Sequence, residues 1–140
     1  MKIVILTLCI LIEIYHLIFR IDINNIKNIV DEAFNNLKKV DVEDYNAIHN
    51  ILDKVPISML HKYFIIVGIE CFYWMLAVML IFILPAPLGI GLFLLLILLS
   101  ILGQYWTLLF RYKSNYKSKY LYDTIDSIFC IIIYFIILRM

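Results

Sequence analysis

The sequence predicts an all-α, polytopic membrane protein of four transmembrane helices, with a short cytosolic helical hairpin between helices 1 and 2. Three observations carry that reading. The chain has 140 residues, enough for one compact unit. It is 64% hydrophobic and 16% charged, against about 45–50% and about 25% in ordinary globular domains. A soluble fold of this size has too little interior to hide so much apolar surface. Finally, four apolar stretches approach or exceed the roughly 20 residues a helix needs to cross about 30 Å of hydrocarbon.

The first stretch, residues 1–20, is apolar over 3–19 and interrupted by Glu13 and His16. Lys2 gives it the basic start of a secretory signal. Glu13 and His16 break the apolar core, however, and no small-x-small cleavage site follows. Cys9 follows Leu8 rather than a small residue, so a lipoprotein signal does not fit either. The segment reads as an uncleaved spanning helix.

Residues 21–60 change composition and read as two short amphipathic helices. Ile23, Ile26, Val30, Ala33, Phe34 and Leu37 recur at helical spacing, as do Val42, Tyr45, Ile48, Leu52 and Val55. Asp41 is the expected cap of the second helix, with Asp44 three residues on. Pro56 ends that helix, and Ser58 is the expected cap of the next. Between Asp22 and Lys54 seven acids face four lysines, so anionic lipid attracts the segment weakly. Forty residues bury little core alone, so the apolar stripes need another surface: the membrane, or a cytosolic protein docking on Phe34, Leu37, Tyr45 and Ile48.

Residues 61–112 hold a transmembrane hairpin. The run 64–84 is interrupted by Glu70, and the run 88–110 has Gln104 as its one strongly polar residue. Pro85 and Pro87, with one residue between them, stop one helix and restart the next. On the second of these helices, Ser100, Gly103 and Thr107 form a small-residue face that permits close helix packing. Residues 113–140 begin with a basic, Tyr-rich cytosolic segment in which Tyr112, Tyr116 and Tyr120 follow one another every four residues, beside Lys113 and Lys117. Such rings and lysines suit a headgroup layer. The apolar run 128–138 reaches spanning length when its helix starts near Leu121 and carries Asp123 and Asp126 in its first turns.

Lys and Arg beside the spans set orientation. Residues 20–62 carry six, residues 111–119 carry four, and Lys2 and Arg139 stand alone on the other side. Both long loops are therefore expected in the cytoplasm and both termini outside it. Ile, Asn, Lys, Tyr and Phe, the residues of AT-rich codons, are abundant. They suggest an AT-rich bacterial genome, a phage or a mobile island, hence a bacterial inner (plasma) membrane.

Ionisable groups in a span are costly and usually face the bundle interior or a wet cavity. Lys2, Cys9, Glu13, His16 and Arg20 fall on one face of the first helix, and Asp123, Ser127, Cys130 and Tyr134 on one face of the fourth. Counted from the basic side, Glu13, Glu70, Gln104 and Asp126 lie five or six residues in, roughly 8–9 Å deep at about 1.5 Å per residue. With His16, they read as an intramembrane polar layer. It serves either as interhelical glue that sets register and oligomeric state, or as a carboxylate-lined cation path. Glu13-x-x-His16 has the spacing of di-iron bundles, but those use two such motifs and two further glutamates, so no metal is expected.

No HExxH, GxSxG, P-loop or dinucleotide fingerprint occurs, so no catalytic residue and no cofactor are assigned. The three cysteines lie in apolar runs without a CxxC. A net charge of +1 offers no field for nucleic acid. The expected function is a small non-enzymatic membrane protein that forms homo-oligomers and couples the bilayer to a cytosolic partner, as a sensor, effector or immunity protein of the phage-defence type. The competing expectation is an ion channel, pore-former or holin-like protein that uses the Glu/Asp layer.

Overall fold

The computed structural model describes residues 1–40, 44–111 and 116–140, and among these the side chains outside 106–120. Asp41 and Val42 therefore lie outside the described residues, as do the side chains of Thr107, Tyr112, Lys113, Tyr116, Lys117 and Tyr120. The described chain is all-helical: α1 (Lys2–Leu37), α2 (Tyr45–Leu52), α3 (Ile57–Ile83), α4 (Ala86–Arg111) and α5 (Tyr116–Arg139). Four helices are long and apolar enough to cross a membrane. They are α1, α3, Ala86–Tyr105 of α4 and Leu121–Arg139 of α5. The last of these begins at Leu121, so Asp123 and Asp126 do lie in its first turns.

The largest departure from the sequence reading is at residue 20. The first span and the first amphipathic stretch were expected as separate helices, yet α1 runs unbroken from Lys2 to Leu37. No Gly or Pro occurs between those residues, and extending a helix is cheap where nucleating a new one is costly. Its end tightens into shorter turns: Lys39 N–H bonds the Asn36 carbonyl at 3.1 Å and Val40 N–H the Leu37 carbonyl at 3.3 Å, which satisfies carbonyls left over at a helix terminus.

Two expected caps also move. The cap of α2 is Asp44, whose carboxylate accepts from the Ala47 N–H at 3.1 Å. Ser58 lies inside the first turn of α3, because the Pro56 carbonyl already accepts from Met59 and Leu60 at 2.9 and 3.1 Å. Pro85 does the same for α4, accepting from Leu88 and Gly89 at 2.9 and 3.0 Å. Pro87 falls in the first turn of α4, where a missing N–H costs nothing.

The chain divides into two compact units, one of residues 1–20 and 71–140, the other of residues 21–70. The first contains the larger core. Ile5, Leu6 and Ile10 of α1 pack with Leu80 of α3, Leu84 just past its end, Leu92 of α4 and Ile137 of α5. Trp74 meets Phe93 edge-on, with ring centroids 6.4 Å apart. A Cβ on Gly89 would stand 2.9 Å from the Ile81 Cα and 3.0 Å from the Leu80 carbonyl oxygen, so this glycine lets α3 and α4 leave their turn in backbone contact. The second unit buries Ile23, Val30 and Ile66. Lys27 pairs with Glu70, and the Tyr63 hydroxyl donates to Asp31 at 3.1 Å. Residues 21–37 thus pack against the first turns of α3, while α2 buries no residue at all.

Candidate functional site

The face read on α1 turns inward. Cys9, Glu13 and Arg20 are buried and His16 is half-buried. Glu13 and Arg20 each retain 7% of their exposure, a degree of burial that charged groups in a span tolerate only with partners. On α5, Ser127, Cys130 and Tyr134 are buried, and Asp123 and Asp126 are half-buried. α3 contributes the buried Tyr73.

These residues form one connected network. Arg20 donates through Nη2 to the Ser127 hydroxyl. The Glu13 carboxyl lies close to the Ser127 and Tyr73 hydroxyls and also feels the charges of Asp126 and Arg20. The Tyr73 and Tyr134 hydroxyls lie 2.6 Å apart. A tyrosine has a single O–H proton. Either hydroxyl can be the donor in this pair. Two hydrogen-bonded pairs, Arg20 with Ser127 and Tyr73 with Tyr134, therefore flank the Glu13 carboxyl. The Cys130 thiol approaches Asp126 at 4.0 Å.

The polar residues named from depth are not all gathered here. Glu13 and Asp126 share the network with Arg20, whereas Glu70 belongs to the other unit, paired with Lys27. Gln104 is exposed. Among the small residues of α4, Ser100 is half-buried. Gly103 is covered by Tyr122, whose ring would stand 2.9 Å from an added Cβ, and the Tyr122 hydroxyl donates to the Leu99 carbonyl at 2.9 Å. Of the residues named for docking, Phe34 and Tyr45 are exposed and Leu37 and Ile48 half-buried.

Tyr73 was the residue that the sequence reading missed. Its signal was present, since Tyr73, Leu76, Ala77 and Leu80 follow helical spacing and are buried along α3. Chemically the network can hold two carboxyl groups beside one guanidinium in a low-dielectric interior. Among the described residues, no group of three or more His, Cys, Asp and Glu is placed to hold a metal ion.

The fold and this network define a class of protein: a helical bundle with four helices fit to span a bilayer and a hydrogen-bonded charge cluster inside. Compared with family models, curated proteins and solved structures, the chain matches none.

Proposed function

We propose that the protein is a non-enzymatic integral membrane component that self-assembles and couples the bilayer to a cytosolic protein, in a bacterial inner membrane and with both termini outside the cytoplasm. The observation that carries this reading is the apolar surface of the second unit. Tyr45 is 80% exposed and Phe34 43% exposed, and α2 buries nothing. The excess of acids over lysines there makes anionic lipid a poor cover and favours a protein. Sensor, effector or immunity roles in phage defence fit a small protein of AT-rich coding composition.

The channel reading has a specific difficulty. Beyond the Tyr73–Tyr134 pair the core of the first unit continues as Leu6, Leu80, Leu84, Leu92 and Ile137. A polar path through one chain would have to cross that carbon. Buried hydrogen-bonded pairs such as Arg20–Ser127 and Tyr73–Tyr134 act as internal glue.

Replacing Phe34 and Leu37 together by Asp tests the docking. The spans should still fold and insert, and the copurifying cytosolic protein and the cellular phenotype should both be lost. A double variant that keeps its partners and its activity would leave residues 21–60 as a spacer. Orientation is checked by single cysteines in a cysteine-free chain. One at Ala86 should react with an impermeant thiol reagent in intact cells, and one at Asn35 should not.

A further inference from the structure

Gln104 is the anomaly of α4. It is exposed on a helix whose Ala86–Tyr105 stretch is apolar enough to span, and among the described residues its side-chain amide has no hydrogen-bond partner. An amide facing hydrocarbon without a partner is expensive. The residues near it do not make up for this. At about 100° per residue, Gln104 stands at the edge of the face α4 turns to its own chain: the half-buried Phe93 and Ser100 lie within about 40° on one side, and Ile97, Ile90 and Ile101 lie within about 60° on the other, where Ile90 and Ile101 are 50% and 59% exposed. The exposed flank beside the amide is therefore apolar and β-branched.

We propose that this face is where two copies of the chain meet, α4 against α4, with the two Gln104 amides hydrogen-bonded to each other. The choice of a second copy follows from the chemistry of the group. A primary amide carries both a donor and an acceptor, so it is complementary to itself. Two copies in one membrane share one topology, so a twofold axis along the membrane normal puts both amides at the same depth. Such an interface uses the same patch on both subunits. The small-residue route to association is already taken inside the chain, where Gly103 receives Tyr122 of α5. The inference rests on the self-assembly part of the proposed function and supplies its contact.

The test uses the full chain in proteoliposomes, with energy transfer between labelled copies followed as lipid is diluted. Wild type should associate. Gln104→Leu should weaken association by roughly 3- to 30-fold, the range of interhelical hydrogen bonds in membranes, and Gln104→Asn should retain most of it. In a cysteine-free chain, Gln104→Cys and Ile101→Cys should cross-link between copies under oxidation, while Leu102→Cys, exposed on the opposite side of α4, should not. A Gln104→Leu chain that associates as wild type does would overturn the contact and leave self-assembly standing. Cross-linking at Leu102→Cys in preference to Ile101→Cys would assign another face and overturn it as well. A wild-type chain that shows no association at any dilution would remove both the contact and the self-assembly.

Discussion

Within the first unit, the end beside the α3–α4 turn and the end that holds Glu13 are built from the same helices by different forces. At the turn, Leu6, Leu80, Leu84 and Leu92 pack carbon on carbon, and Gly89 brings two backbones together. Nearer the other end, Glu13, Arg20 and Ser127 are buried and held by hydrogen bonds and charge. The contrast has a physical origin. Lipid tails are as apolar as leucine, so burial of carbon gives helices in a bilayer little drive to associate. Close packing and polar contacts remain, and each end of this bundle relies on one of them. The packed end tolerates no added volume, and the polar end tolerates no missing partner.

The sharpest way to break the contrast is Arg20→Met. It removes the cation near Glu13 and Asp126 and takes away the donor to Ser127. Losing a charged hydrogen bond inside a protein costs about 1.5–3 kcal/mol, readable as a fall in unfolding free energy during titration from mild detergent into sodium dodecyl sulfate. Adding Glu13→Gln to that variant should recover part of the loss, since the stranded charge is then gone. A loss below about 1 kcal/mol, typical of solvated pairs, would mean that water rather than the network supports these groups.

At the packed end, Gly89→Ala should cost about 1–3 kcal/mol, the usual range for overpacking. The added methyl meets the backbone of Ile81 and Leu80, which cannot swing aside as a side chain can. Gly91→Ala is the matched control. Nothing lies within 4 Å of a Cβ there, so the better helix propensity of alanine should leave stability unchanged or slightly raised. Equal losses at both glycines would show that the close approach at Gly89 is unimportant.

The smallest effect belongs to Tyr134→Phe. It removes one hydrogen bond from Tyr73 and keeps the ring, so the expected loss is about 0.6 kcal/mol and at most about 1.7. A larger loss would mark the tyrosine pair as the keystone of the network, and the order Arg20, Gly89, Tyr134 would have to be redrawn.

Much of this was legible in the sequence, and the legible parts share a cause. The four apolar runs, the Pro85–Pro87 turn and the inward face of Cys9, Glu13 and Arg20 follow from composition and from the 3.6-residue period, which are properties of one helix at a time. The end of the first helix was misplaced for a local reason too. A change in composition at residue 20 was taken for a boundary, although no breaker stood there.

Pairing between helices was a different matter. Depth along a helix can be counted from its boundary, and that count put Glu13, Glu70, Gln104 and Asp126 at one level. Rotation about each axis cannot be counted, because it depends on which neighbour a helix meets. The fold turned Gln104 outward, gave Glu70 to Lys27 and brought Tyr73, unnamed in that count, to Glu13. Arg20 reaches Ser127 across 107 residues of chain, and Tyr73 reaches Tyr134 across 61. Spans, turn and inward stripe were set by the sequence alone; the partners of each buried polar group were decided by tertiary packing, since a hydrogen bond between helices needs both axial level and facing direction to agree.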